Sequence, residues 1–203
     1  VVCPGFLFET AIYAVQEDYP EVAFLLLDGE PNDGDWSTFP TWSTSDNVHN
    51  VLYQEEQSGF LAGYAAVMDG FRDLGFAGGM AVPAVVRFGY GFVQGAEYAA
   101  NELGLTEDDV TIEYYYANEF APSPDLETKM DLWYAGGVEV VFACGGKLYQ
   151  SVVNAAEATQ NGKVIGVDVD QYFVSDTVIT SAMKGLTVSV YDALEAFYDN
   201  SME

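Results

Sequence analysis

The chain has 203 residues, of which half are apolar, and its 32 acidic and 6 basic residues give a formal net charge of −26. The apolar fraction excludes a disordered chain, and the absence of a repeated period fits one large α/β domain or two small lobes that share a hinge. The negative field repels phosphate backbones and anionic lipid headgroups, so nucleic acid and membrane surfaces are not expected partners.

Short β-branched runs alternate with longer helical patterns along the chain. VVCP precedes the helical pattern FLFETAIYAVQEDYP, VAFLLLD precedes an acidic loop, and VHNVLY precedes the helical pattern QEEQSGFLAGYAAVMDG. The order continues with LGFAGG and AVVRFGYGFVQGAEYAANELG, VTIEYYY and PDLETKMDLWYAGG, VEVVFACGG and LYQSVVNAAEATQNG, KVIGVDVD, VITSAMK, and TVSVYDALEAFYDN. This alternation predicts parallel strands with crossover helices, and hence an α/β fold with a doubly wound sheet.

Ligands bind beyond the carboxyl ends of the strands in open parallel sheets. The residues that end the strand-like runs are therefore the candidate contacts: Pro4-Gly5-Phe6, Asp28-Gly29-Glu30, Gly78-Gly79, Tyr116 to Phe120, Gly145-Gly146-Lys147 and Asp168 to Gln171. Arg87 and Lys184 are added because positive charge is scarce in this chain. The loop 31–47, which contains Trp36 and Trp42, is interpreted as a surface excursion or as a lid over the ligand.

Motifs for catalysis and for nucleotide binding are weak. His49 is the only histidine, which excludes a histidine-rich metal site. The glycines of GYGFVQG, residues 89–95, lie inside a helical pattern and indicate close helix packing rather than a dinucleotide-binding turn. Gly145-Gly146-Lys147 lacks the upstream glycine and the hydroxyl residue of a phosphate-binding loop.

Asp168 and Asp170 form a D-x-D pair directly after a strand. Such a pair holds a divalent cation in several enzymes, but alternate residues of an extended chain point to opposite sides unless the backbone turns. The alternatives are a metal site, one aspartate that binds a ligand while the other caps the next turn, or loop structure alone.

Five segments resemble a known family. In order they are VCPGFLFETAIY, VAFLLLDGEP, NVHNVLYQEEQSGFLAGYAA, LGFAGGMAVPAVVRFGYGFVQGA and KVIGVDVDQ, and they resemble the basic membrane protein family of substrate-binding lipoproteins. Members are purine-nucleoside receptors of bacterial ABC importers with the type I periplasmic binding protein fold. The resemblance implies two Rossmann-like lobes with parallel sheets, joined by a three-strand hinge and closing on the ligand.

The resemblance also implies how the chain divides. Residues 1–53 would be part of lobe 1, residues 54–184 would form lobe 2, and residues 185–203 would return to lobe 1. The N-terminal part of lobe 1 would be missing from this chain. The lipid anchor of the family would lie outside it as well, with the receptor extracytoplasmic.

Several site residues follow from the resemblance. Asp168 resembles the aspartate that binds the ribose hydroxyls, Lys184 resembles a lysine of the third crossover, and Gly145-Gly146 resembles the backbone that lies against the sugar. The other candidates would line the ligand from the two lobes: Phe6, Phe8 and Asp28 from lobe 1, and Arg87, Phe88 and Phe120 from lobe 2. The stretch 146–150, GKLYQ, departs from the glycine-rich family pattern and places Lys147 near the sugar.

The function expected from the resemblance is a receptor that binds purine nucleosides without catalysis, metal or cofactor. Its partners would be the nucleoside and the permease subunits of an ABC transporter. The alternative is a D-x-D metal-dependent nucleotide-sugar or phosphoryl transferase. A ligand-sensing regulator of the same fold is a third hypothesis.

Overall fold

The structure is a computed structural model that describes residues 1–35, 37–106 and 108–199. Trp36, which belongs to the loop interpreted as an excursion or a lid, lies outside the described residues. Within these ranges no helix is both long and apolar enough to cross a membrane.

The described helices and strands follow the predicted order. They are β1 (Val2–Pro4), a 3-10 helix (Phe6–Phe8), α1 (Glu9–Val15), β2 (Phe24–Leu27), β3 (Val48–Val51), α2 (Glu55–Met68), β4 (Asp73–Gly78), α3 (Pro83–Glu102), β5 (Thr111–Tyr116), α4 (Pro124–Ala135), β6 (Val140–Cys144), α5 (Tyr149–Ala158), β7 (Lys163–Asp168), β8 (Val178–Met183) and α6 (Leu186–Tyr198). All strand pairs within the two sheets are parallel. The predicted α/β fold with parallel sheets is confirmed.

The chain forms two compact units. Unit 1 contains residues 1–53 and 185–203, and unit 2 contains residues 54–184. The chain therefore passes between the units after Tyr53 and again after Lys184. The described residues contain these two crossings, whereas the resemblance predicts three.

Unit 1 is a three-stranded sheet in the order β1-β2-β3. Ile12 of α1 packs with Leu26 on one face, and Ala193 of α6 packs with Leu25 and Leu27 on the other. The two faces follow from the alternation of side chains along β2. A strand buried on both faces explains why VAFLLLD is apolar at consecutive positions.

Unit 2 is a five-stranded sheet in the order β5-β4-β6-β7-β8. One core contains Phe142 with side chains of α2 and α3, and the other contains Val141 and Ala143 with side chains of α4 and α5. Helices therefore cover both faces of this sheet, so the carboxyl ends of its strands form one edge of the unit.

Glycines bring α2 and α3 into direct backbone contact. A Cβ on Gly63 would clash with the carbonyl oxygen of Phe92, and a Cβ on Gly91 would clash with that of Glu56. The predicted role of the 89–95 glycines in helix packing is thereby confirmed. Because the contacts advance along both helices together, α2 and α3 run in the same direction, and the first turn of α2 lies beside residues 87–91 of α3.

Candidate functional site

The site in unit 2 begins where β7 ends. Asp168 is paired with Met183 in the sheet register and has a φ of 66°, a left-handed conformation that is uncommon outside glycine. The backbone nitrogen of Lys184 donates to the carbonyl oxygen of Asp168 at 2.9 Å. The side chain of Asp168 is 40% exposed. Strained backbone of this kind is typical of binding sites.

Two cations and two carboxylates meet at this strand end. The Nζ atom of Lys184 lies 3.4 Å from Oδ1 of Asp168 and 3.4 Å from Oε1 of Glu55. The Nε atom of Arg87 donates to Oε2 of Glu55 at 2.6 Å. The side chain of Glu55 is fully buried and that of Lys184 is 3% exposed. Each buried charge has an opposite charge beside it, which is the condition for burying ions at tolerable cost.

Phe88 lies under this ion network. Its ring centroid is 5.3 Å from Nζ of Lys184, within the range of a cation–π contact. The structure therefore brings together Arg87, Phe88, Asp168 and Lys184 of the predicted site residues. Their roles in ligand binding stay a prediction.

Glu55 is the residue that sequence reasoning missed. It is the first residue of α2, where an acidic side chain is ordinarily explained by the helix dipole. The sequence offered one indication of its role. Glu55 stands between a strand-like run and a glycine-containing helix, in a chain with only six basic residues that could neutralise its charge. The parallel packing of α2 and α3 places it next to Arg87.

Phe120 occupies the space above the glycines at the ends of β4 and β6. A Cβ on Gly145 would lie 2.8 Å from Cδ1 of the Phe120 ring, and a Cβ on Gly146 would lie 2.9 Å from Cβ of Phe120. A Cβ on Gly79 would clash with the same ring. The backbone nitrogen of Lys147 donates to the carbonyl oxygen of Phe120 at 2.8 Å. The glycine pair is therefore required by an aromatic ring of this chain, whether or not a sugar also lies there.

The second aspartate of the D-x-D pair has a different environment. Asp170 is exposed, and its Oδ1 accepts a hydrogen bond from the backbone nitrogen of Tyr172 at 3.2 Å. The neighbouring Gln171 is buried and accepts from the backbone nitrogen of Val167. Asp170 thus organises the loop after β7. Within residues 1–35, 37–106 and 108–199, no group of three histidine, cysteine, aspartate or glutamate residues is placed to hold a metal ion.

Unit 1 places Phe6, Phe8 and Asp28 at its own strand ends. Asp28 follows β2 with a φ of 63°, and its backbone nitrogen donates to the carbonyl oxygen of Val51 at 2.7 Å. Phe6 is half-buried and Phe8 is exposed, both in the 3-10 helix after β1. These two loops adjoin, because the backbone nitrogen of Gly5 donates to the carbonyl oxygen of Leu27.

Glu9 fastens the loop after β2. Its Oε1 accepts from the backbone nitrogen of Glu30 at 3.1 Å, and its Oε2 accepts from Nδ2 of Asn32 at 2.8 Å. Burial raises the pKa of the Glu9 carboxyl, and the two hydrogen bonds oppose that shift. Sequence reasoning missed this residue too.

Other candidates have structural surroundings. His49 is half-buried in β3, opposite Leu25 of β2. Asn47, at the end of the 31–47 loop, donates from Nδ2 to the carbonyl oxygens of Gln16, Tyr19 and Val22. The loop end is therefore fastened to the segment after α1.

A family model described as "ABC transporter substrate-binding protein PnrA-like" matches residues 1–203. The chain belongs to this family. The resemblance drawn from the five sequence segments is thereby confirmed, and the family is one of transporter substrate-binding proteins rather than of transferases.

Individual relatives agree with the family assignment. The chain is 31% identical over 190 residues to basic membrane protein B of Borreliella burgdorferi, covering 92% of this chain and 52% of that protein. It is 26% identical over 213 residues to the ABC transporter nucleoside-binding protein BmpA of Lactococcus lactis, covering 96% and 56%. The chain thus spans about half the length of the curated relatives it matches.

A solved structure shares the fold. The crystal structure of an ABC transporter system solute-binding protein from Aeropyrum pernix K1 superposes with a TM-score of 0.78 at 24% identity, covering 99% of this chain and 55% of that one.

Proposed function

We propose that the chain is part of an extracytoplasmic receptor of an ABC importer, and that this receptor binds purine nucleosides. Family membership supports the receptor class, and the name of the Lactococcus lactis relative supports a nucleoside as ligand. The observation that supports the proposal most is the Asp168 carboxylate, which is partly exposed at a strand end and steadied by the buried Lys184.

Asp168 has the chemistry required to bind a ribose. An ionised carboxylate has two oxygens that only accept hydrogen bonds, and the adjacent 2′ and 3′ hydroxyls of a ribose are two donors at matching separation. Lys184 lies on the Oδ1 side of the carboxylate and limits its rotation. A carboxylate whose orientation is set before binding loses less conformational entropy when the hydroxyls bind.

The base requires an aromatic surface. A stacked aromatic pair contributes about 0.5–1.5 kcal/mol beyond its buried area. Phe120, at the strand ends of unit 2, is the aromatic candidate there, and Phe6 and Phe8 are the candidates in unit 1. Asp28 would add a second carboxylate acceptor, as the resemblance implies.

Family membership supports the proposed transport partner and location. A substrate-binding protein of an ABC importer delivers its ligand to the permease subunits of that importer. The receptor would be held at the membrane by a lipid anchor. The strongly negative chain makes direct adhesion to anionic lipid unfavourable.

A thermal-shift panel tests the proposal on the full-length protein. Purine and pyrimidine nucleosides, free bases, sugars, Mg²⁺ and Mn²⁺ are compared at equal excess. A ligand at one hundred times its Kd stabilises the native state by about 2.7 kcal/mol, so inosine, guanosine or adenosine should raise the melting temperature clearly. If all three leave it unchanged, the nucleoside assignment is wrong, and a rise with Mn²⁺ that EDTA reverses would support a metal-dependent enzyme instead.

A further inference from the structure

Glu55 is the carboxylate of the unit 2 site that lies between two cations. It is a fully buried carboxylate with two cations beside it, Arg87 at 2.6 Å and Lys184 at 3.4 Å. The whole chain has only six basic residues, and two of them are directed at this one side chain. Nζ of Lys184 also lies 3.4 Å from Oδ1 of Asp168, the carboxylate proposed to bind the ligand.

The arrangement of Arg87, Glu55 and Lys184 is the one by which proteins bind external anions. A guanidinium and an ammonium that converge on a carboxylate or phosphate form short charge-assisted hydrogen bonds to it. In this chain the anion is supplied by the first residue of α2. The position between the two cations is therefore occupied by the chain itself.

We propose that Glu55 determines the charge of the ligand, as a built-in counter-anion that makes the site select uncharged nucleosides over nucleotides and other anions. This inference rests on the proposed function, because it concerns the ligand that binds at Asp168. A phosphorylated ligand bound at Asp168 would bring its negative charge into a site whose two cations already have carboxylate partners, and toward the partly exposed carboxylate of Asp168.

The geometry distinguishes this role from simple core stabilisation. Oε1 of Glu55 is buried and accepts no hydrogen bond from the described residues, while Nζ of Lys184 stands 3.4 Å from it. The same Nζ is 3.4 Å from Oδ1 of Asp168. Nζ of Lys184 thus lies at the same distance from Glu55 and from Asp168, and loss of the Glu55 charge would leave more of the positive field of Lys184 at the ligand position.

Glu56 offers a matched control. It is adjacent in sequence and has the same side chain, but this side chain is 43% exposed overall, and its Oε2, which is itself buried, is 4.0 Å from Nε of Arg87, against 2.6 Å for Oε2 of Glu55. Glu56→Gln changes the net charge of the protein by the same amount as Glu55→Gln. A difference between the two variants therefore reports the position of the charge rather than its total.

The first test compares ligands of different charge on the full-length protein. Titration calorimetry gives the dissociation constants of inosine and inosine 5′-monophosphate for the wild type, Glu55→Gln and Glu56→Gln. We expect Glu55→Gln to move the ratio of the two constants by about tenfold or more toward the monophosphate, the size of one charged hydrogen bond. Glu56→Gln should keep the ratio within about twofold, the scale of an exposed charge pair.

The second test requires no nucleoside and is independent of how well Glu55→Gln folds. Glu55→Ala leaves a cavity between Arg87 and Lys184, and sodium formate is added as a replacement carboxylate. The melting temperature of Glu55→Ala should rise with formate by more than that of the wild type or Glu56→Ala.

The outcomes separate the two proposals. If inosine binds and Glu55→Gln leaves the inosine to monophosphate ratio unchanged, the counter-anion role is wrong and the proposed function stands. If the wild type binds neither ligand, the proposed function and the ligand selection that rests on it both fail, and selective stabilisation of Glu55→Ala by formate would show only that Glu55 occupies an anion site. If formate stabilises all variants equally, Glu55 does not occupy an anion site.

Discussion

Each unit has a glutamate as the first residue of a helix, Glu9 in unit 1 and Glu55 in unit 2, but different groups bind the two carboxylates. In unit 1, Glu9 at the start of α1 accepts hydrogen bonds from the backbone of Glu30 and from the side chain of Asn32. In unit 2, Glu55 at the start of α2 accepts from Arg87 and lies beside Lys184. Both carboxylates fasten a strand-end region, one with neutral donors and the other with cations.

The distribution of charge explains this difference. All six lysine and arginine residues lie within residues 54–184, so unit 1 has acidic residues and no basic ones. Burial raises the pKa of the Glu9 carboxyl, and hydrogen bonds from neutral donors offset only part of that shift. The stability of unit 2 should therefore respond to substitutions that remove charge, and the stability of unit 1 to changes of pH.

The largest expected effect comes from removing a cation of unit 2. Lys184→Met leaves the buried Glu55 with one counter-charge fewer, and breaking a buried ion pair from one side costs about 3–5 kcal/mol of the free energy of unfolding. Urea denaturation of the full-length protein measures this cost. Lys129→Met is the control, because Lys129 makes cation–π contacts with Tyr115 and Trp133 that are worth about 1 kcal/mol or less at the surface. Equal costs for the two variants would contradict the ion network.

A smaller effect is expected at Glu9 and depends on pH. Because the folded-state pKa of Glu9 is above its ordinary value of 4.5, the folded state binds more protons than the unfolded state between those two values. The contribution of Glu9 to stability is therefore greatest below the ordinary value and is lost as the pH rises through the raised one. Glu9→Gln cannot titrate, so the wild type should lose stability relative to this variant as the pH rises from about 4 toward neutrality.

The control for Glu9 is Glu17→Gln, which removes an exposed acid from the same unit. Denaturation curves at a series of pH values give the free energy of unfolding for each variant. A difference between wild type and Glu9→Gln that is independent of pH, or that changes no more than the difference for Glu17→Gln, would show that the Glu9 carboxyl is not desolvated.

The fold could be predicted from the sequence because the patterns that indicate strands and helices lie within short segments of the chain. Consecutive apolar residues in VAFLLLD and VEVVFACGG indicate strands buried on both faces, and the intervening helical periods require parallel crossovers. Asp168 could be nominated because it stands at the end of a strand-like run, and Lys184 because positive charge is scarce in this chain.

Glu9 and Glu55 could not be predicted because their roles depend on tertiary packing. Glu55 reaches Arg87 only because α2 and α3 run in parallel with their glycines in contact. Sequence also marks Gly145 and Gly146 as positions of close approach, but it does not identify Phe120 as the group that approaches.

The proposed nucleoside function depends most on Asp168, which we propose binds the ribose hydroxyls. Calorimetric titration of the full-length protein with inosine and 2′,3′-dideoxyinosine, for the wild type and Asp168→Asn, tests it directly, with Asp170→Asn as the neighbouring control. We expect loss of the hydroxyls to weaken binding to the wild type and to Asp170→Asn by about 1.5–3 kcal/mol, and to weaken binding to Asp168→Asn much less. An equal loss in all three proteins, or no loss in the wild type, would contradict the claim.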